Sequence, residues 1–228
     1  MKLVLFDIDG TLLSCGGAGM LALERAANGL FGERVSFRGI NPAGGMDPLL
    51  FRAALERADA LELEAEHDRF RDRYLAELAL CLEEGRENVR SLPGVHEALA
   101  AVRALSTRVT LGVLTGNYGP AAHLKLRAVD VDPTCFAVTA FGDEAPSRPA
   151  LVEVALERCA ALHGRAVSPP DVVVIGDTIK DVACASANGC LSLAVCTGST
   201  SAAELAAAGA TRVVNDLSDL SPLWELLA

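Results

Sequence analysis

Apolar residues fall into short runs and helical stripes that alternate along most of the chain. Residues 3–6 and 172–175 are unbroken apolar runs, and 109–114 is nearly so. Runs of that length fit strands buried on both faces. The pattern predicts a helix over 94–105, a strand over 109–114, and a helix over 120–129 opening at Pro120. A short strand follows at 136–140, then a helix over 149–162 and a strand over 171–176. A helix from 180, a strand at 191–195, a helix at 201–208 and a last strand at 211–214 complete the alternation. Such alternation predicts an α/β fold, a doubly wound parallel sheet with ligands at the carboxyl ends of its strands.

Residues 20–85 break the rhythm. They read as helical throughout, with turn signals at 29–32 and 41–45, and Leu75, Leu78 and Leu82 recur at helical spacing. Ser91-Leu92-Pro93-Gly94 reads as the return linker. The expected organisation is a core of residues 1–14 and 91–228 carrying a separate helical lobe, residues 15–90.

Composition narrows the partners. The 20 basic and 30 acidic side chains leave a net charge of −10. No basic stretch is present to cover phosphates, so nucleic acid is not an expected partner. An anionic ligand must then be drawn by a local positive site and a metal. The seven cysteines include no C-x-x-C and read as small buried residues in a reducing cytosol. Cys15, close to the first acidic motif, is the one candidate to face a site. His67, His96, His123 and His163 are scattered without ligand spacing, and Trp224 reads as packing. No apolar run reaches a membrane span, and the chain opens directly on a strand. The expectation is a cytoplasmic protein without a membrane partner, monomeric or homodimeric.

Candidate chemistry gathers at strand ends. Asp7 and Asp9 follow the first apolar run two residues apart, and Gly10 permits a sharp departure of the backbone. Two carboxylates held that close resist joint ionisation unless a hard cation such as Mg²⁺ lies between them. After the 109–114 run come Thr115, Gly116 and Asn117, whose hydroxyl and amides can bind phosphate oxygens. After the 172–175 run, Gly176-Asp177-Thr178-Ile179-Lys180-Asp181 sets two carboxylates four apart, suited to holding a metal and orienting its water.

Asp7-Ile8-Asp9-Gly10-Thr11, then Thr115, then Arg148, then Gly176-Asp177 with Asp181 resemble motifs I to IV of the haloacid dehalogenase superfamily, in that family's order. The 15–90 segment resembles the helical C1-type cap of its phosphatases. The resemblance implies a Rossmann-like core and an Mg²⁺-dependent phosphatase that hydrolyses a small phosphorylated metabolite. Asp7 would be the nucleophile that becomes an aspartyl phosphate, and Asp9 the general acid and base. Mg²⁺ would be held by Asp7, the Asp9 backbone carbonyl and Asp177, with Asp181 orienting water. Thr115, Gly116, Asn117 and Arg148 would hold the phosphate. Arg148 fills the position usually given to Lys; Lys125, on a helix with a solvated far face, and Lys180, beside Asp177, are rival cations. The loop at 44–47 is similar to that of phosphoglycolate phosphatase-like members, with Met46 where those carry Thr, so Met46 and Asp47 are expected to read the substrate.

Other readings remain. A phosphomutase differs only in what attacks the aspartyl phosphate. A dehalogenase has no need of Asp9. A phosphonatase needs a cap lysine, and none occurs between Lys2 and Lys125. A receiver-type signalling module shares the acidic cluster on a doubly wound sheet but not the helical insertion.

Overall fold

The chain runs β1 (Lys2–Phe6), β2 (Leu13–Ser14), α1 (Ala18–Phe31), α2 (Asp47–Arg57), α3 (His67–Glu84), β3 (Arg90–Ser91), α4 (Val95–Ala104), β4 (Val109–Leu114), α5 (Gly119–Ala128), β5 (Val138–Ala140), α6 (Arg148–His163), β6 (Val172–Gly176), α7 (Ile179–Ala187), β7 (Leu191–Val195), α8 (Ala202–Ala207), β8 (Arg212–Val214) and α9 (Ser221–Leu227). The structure is a computed structural model that describes residues 1–228. Six strands form one parallel sheet in the order β5-β4-β1-β6-β7-β8. The apolar runs place β4 and β6 wholly inside, and β1 from its second residue onward. Each of these strands shows apolar side chains to both helical layers, as a sheet covered on both faces requires.

Register sets the site. Phe6 of β1 lies level with Val113 of β4 and Ile175 of β6. The residues just past these three strands therefore emerge side by side at one edge of the sheet. The chain builds outward from β1 to β4 and β5 on one side, then crosses to β6, β7 and β8 on the other. That reversal opens a crevice at the carboxyl end of β1, where open α/β sheets take their ligands.

The segment between β2 and β3 is helical, as its spacing predicts. Its core is aromatic: Phe51 and Phe70 stack with centroids 4.1 Å apart, and Phe37 stacks on Phe70 at 5.7 Å. Burying each such side chain contributes about 1.5–3 kcal/mol. The lobe is not sealed off, since Phe51, Phe70 and Tyr74 belong to the same apolar cluster as Phe6, Ile8 and Tyr118. A short antiparallel ribbon joins its two connections, Leu13 pairing with Ser91 and Ser14 with Arg90. The sequence pattern gave no strand there, because two-residue strands carry no periodicity.

The seven cysteines are all free. No helix is long and apolar enough to cross a membrane.

Candidate active site

A cavity of about 450 Å³ opens between the sheet edge and the helical insertion. Asp7, Asp9, Thr115, Gly116, Asn117, Arg148 and Asp177 line its core side, and Asp47, Tyr74 and the 41–45 loop line the other. The structure thus brings together residues that lie far apart in sequence.

Asp7 sits at the floor, 5% exposed. Arg148, the first residue of α6, places Nη2 3.0 Å from Asp7 Oδ1 and 2.5 Å from Asp181 Oδ1. Burial pushes the Asp7 carboxyl up to about 6, against the pull of Arg148. Asp177 is pushed up to about 8, first by burial and then by repulsion from Asp7 and Asp181. Thr11 Oγ1 donates to Asp177 Oδ1 at 3.2 Å, and Thr197 Oγ1 donates to the Gly10 carbonyl at 2.5 Å. Thr11 closes the first acidic motif, whereas Thr197 was not legible as part of the site; it follows β7, whose end adjoins that of β6.

Asp181 has two tasks. Its Oδ2 accepts from Thr178 N at 3.0 Å and Thr178 Oγ1 at 2.6 Å, closing a capping box at the start of α7. Its Oδ1 holds Arg148. A carboxylate so engaged fixes the guanidinium in place as much as it starts the helix.

Carboxylate oxygens of Asp7, Asp177 and Asp181 lie within 4.8 Å of one another, all buried. One buried cation beside three such carboxylates leaves excess negative charge, which adds to burial in raising the Asp7 and Asp177 carboxyls. A hard divalent cation, which takes oxygen ligands, fits this donor set. Asp181 is engaged by Thr178 and Arg148, whereas Asp7 and Asp177 line the cavity.

The phosphate-binding candidates line the same floor. Thr115 is 1% exposed, and its Oγ1 accepts the Asn117 N–H at 3.4 Å. Gly116 is held against the Gly45–Met46 backbone so closely that a Cβ there has no room. Arg148 Nε is buried without a hydrogen-bond partner. An unpaired buried donor costs about 1–3 kcal/mol.

Two expectations change. Met46 does not line the cavity; it is buried in an apolar cluster with Leu114, Val138 and Ala140. Its neighbour Asp47 does line it, accepting the Tyr118 N–H at 2.9 Å. Lys125 is not on a solvated face. It is 3% exposed, with Nζ 2.5 Å from Asp9 Oδ2 and 3.1 Å from Asn117 Oδ1. Burial acts to lower its ammonium, but Asp9 first, then Tyr74, Cys15 and Asp47, hold it well above the ordinary lysine range. The signal was available: Lys125 falls four residues after Ala121 and three after Ala122, both buried on α5. Lys180, in contrast, is exposed. Cys15 lines the cavity, its thiol pushed up to about 12 by burial, which disfavours the thiolate. His67 Nε2 is paired with the Tyr118 hydroxyl at 2.9 Å, a satisfied histidine.

A family model described as haloacid dehalogenase-like hydrolase matches residues 4–186. A phosphoglycolate phosphatase from Chromobacterium violaceum is 27% identical over 236 residues, covering 99% of this chain and 97% of its own. CbbY from Rhodobacter sphaeroides, solved in complex with phosphate, is similar with a TM-score of 0.72 at 19% identity, over 97% of this chain and 96% of that one. A putative beta-phosphoglucomutase from Thermotoga maritima gives 0.64 at 24% identity over 100% of both chains. At those identities the two structures speak for the fold. The family match extends from β1 into α7, across the ends of β1, β4 and β6, and the chain belongs to the haloacid dehalogenase-like hydrolases.

Proposed function

We propose that this protein is a Mg²⁺-dependent phosphatase that hydrolyses a small phosphate monoester through an aspartyl phosphate on Asp7. The observation that carries the reading is the buried Asp7 carboxylate, set between the Arg148 guanidinium and the carboxylates of Asp177 and Asp181. The phosphoglycolate phosphatase relative supports it.

Asp7 attacks phosphorus in line, forming a new P–O bond as the ester P–O bond breaks. This divides one hard displacement into two easier ones. Asp9 gives its proton to the departing alkoxide, then takes a proton from the water that attacks the acyl phosphate. The second attack breaks the bond between phosphorus and Asp7 and releases inorganic phosphate. Mg²⁺ held by Asp7 and Asp177, with the Asp9 carbonyl, would offset the charge that repels nucleophile from substrate. Arg148 Nε and the Thr115 hydroxyl donate to the non-bridging oxygens, where charge accumulates. Gly116 and Asn117 set the backbone of that cradle. Asp181 keeps Arg148 aimed. The helical insertion, residues 15–90, acts as a cap that closes the cavity and excludes bulk water.

Purified protein, incubated with Mg²⁺ and a panel of phosphorylated metabolites, should release inorganic phosphate. Acid quenching followed by peptide mass analysis should find one phosphoryl group on Asp7. Transfer to a second sugar phosphate in place of water would convert the assignment to a mutase. No turnover with any phosphoester, or an Asp7→Asn variant as active as wild type, would overturn the mechanism.

A further inference from the structure

Tyr74, on α3 of the insertion, is 1% exposed and lines the cavity, yet its hydroxyl makes no hydrogen bond to the protein. Tyr118, whose ring centroid lies 6.0 Å away, has its hydroxyl paired with His67. Nor is the Tyr74 hydroxyl walled in, since Arg148 Nε is the sole enclosed side-chain nitrogen or oxygen without a partner. It therefore opens on the cavity. A buried tyrosine hydroxyl ordinarily finds a partner, and burying one without a partner costs free energy. Packing alone would be served by phenylalanine, which α3 carries one turn earlier at Phe70.

The surroundings decide which partner fits. Burial first, then Asp47, holds the phenol well above the ordinary tyrosine range, so it keeps its proton and can donate. Lys125 and Asp9 also act on it. Lys125 is already matched by Asp9 and Asn117, and Asp47 brings a second carboxyl, so no free cation stands beside the phenol. An anionic group is disfavoured there. A hydroxyl is suited, because it accepts from Tyr74 and has a proton of its own to give to a carboxylate. Met20 and Leu23 of α1 and Leu50 of α2 line the same cavity and offer apolar contact to a carbon chain. Asp9, whose place in the proposed reaction is at the leaving oxygen, is among the groups acting on Tyr74, whereas Arg148 holds Asp7 at the floor. The phenol thus faces the leaving group, away from the attacked phosphorus.

We propose that Tyr74 is a specificity-determining residue whose hydroxyl donates a hydrogen bond to an uncharged hydroxyl on the leaving group of the substrate. The inference rests on the phosphatase reading and adds a substrate class to it: short phosphate monoesters of alcohols that carry at least one further hydroxyl. A substrate with hydrogen in that place leaves the phenol without a partner and forfeits the bond.

The test compares hydroxyethyl phosphate with ethyl phosphate, and propyl phosphate with its analogue bearing a terminal hydroxyl, all with Mg²⁺ and with p-nitrophenyl phosphate as the check on turnover. In at least one pair wild type should favour the hydroxylated ester in kcat/KM by about three- to tenfold, the worth of one neutral hydrogen bond. In Tyr74→Phe that ratio should fall to near one, the loss falling on the hydroxylated member. Tyr118→Phe removes a hydroxyl that His67 already holds and should keep the wild-type ratio. A variant that is merely destabilised lowers both members of a pair together, so the ratio separates recognition from damage. No preference in either pair, or a preference that survives Tyr74→Phe, would overturn the inference and leave the phosphatase reading intact. So would a ratio that collapses equally in Tyr118→Phe, or turnover of p-nitrophenyl phosphate with neither hydroxylated ester. Failure of wild type on every ester would overturn the phosphatase reading itself.

Discussion

Asp47, the first residue of α2, accepts the backbone N–H of Tyr118 at 2.9 Å, and its own N–H donates to the Gly116 carbonyl at 2.7 Å. The helical insertion is thereby fastened to the loop that carries Thr115. The carboxyl is 4% exposed, and burial pushes it up to about 6, with Lys125 and the Tyr118 N–H acting against the rise. The folded state thus holds a proton that the unfolded chain, near 3.8, gives up. Stability from this group is full below about pH 4 and is lost as pH rises through about 6. Asp47→Asn keeps an acceptor for Tyr118 and removes the charge. The variant should gain about 2–3 kcal/mol over wild type at pH 8, and the gain should vanish at low pH. Urea unfolding of both proteins in chelator across that range checks it.

Arg148 links Asp7 to Asp181 through a single nitrogen, so its loss should be felt twice. Arg148→Ala should cost about 2–4 kcal/mol in transition-state stabilisation, as for removal of one preorganised donor. It should also cost about 3–5 kcal/mol in stability, because two buried carboxylates lose their counter-charge. Arg148→Lys should recover part of each, a point charge replacing a planar fork. Steady-state kinetics and urea unfolding measure the two losses separately. A variant with normal kcat/KM would remove Arg148 from the phosphate cradle.

Much of this arrangement was legible in the sequence, for identifiable reasons. The strands that carry Asp7, Thr115 and Asp177 are apolar runs, and such runs commit to a buried sheet whatever surrounds them. Arg148 could be placed because it opens a helix just ahead of the β6 run. Lys125 was misread because a lysine on a helix is by default assigned to solvent, although the buried alanines at 121 and 122 mark its face. Met46 was misread because a loop beside a candidate site looks like a wall of it, whereas here the loop backbone packs on Gly116 and turns Met46 into the core. The contact between Asp47 and Tyr118 spans 71 residues. Nothing local to either residue announces it, since it depends on how the insertion folds back over the sheet.

The acidic cluster makes metal-free stability depend on pH. Asp7 near 6 and Asp177 near 8 both lie above their unfolded values. The folded state binds more protons than the unfolded chain between about pH 4 and 8, so stability in chelator should fall as pH rises through that window. Mg²⁺ competes with those protons, so its apparent affinity should rise with pH. Thermal unfolding with and without Mg²⁺ should show a small metal-induced shift at pH 5 and a larger one at pH 8. Equal shifts at both would mean that Asp7 and Asp177 do not hold the ion.

Asp9 differs from Asp7 in being half open to the cavity, with its side chain 45% exposed and one oxygen on Lys125. A carboxyl placed in that way can reach a ligand and exchange protons with it, whereas a group at the floor cannot turn. Its contribution should therefore depend on what leaves. An alkoxide is a poor leaving group and needs a proton during bond cleavage; p-nitrophenolate leaves without one. Asp9→Asn should slow phosphoenzyme formation far more with an alkyl phosphate than with p-nitrophenyl phosphate. Dephosphorylation should slow equally for both, because the same aspartyl phosphate awaits the same water. With p-nitrophenyl phosphate, the variant should show a rapid burst of nitrophenolate followed by a slow steady state, and rapid-quench mixing resolves the two phases. Asn also leaves Lys125 without a charged partner, so a second substitution at Lys125 should be less harmful in the Asp9→Asn background than alone, the non-additivity of groups that act as a unit. Equal losses with both leaving groups in the first step would reduce Asp9 to an anchor for Lys125.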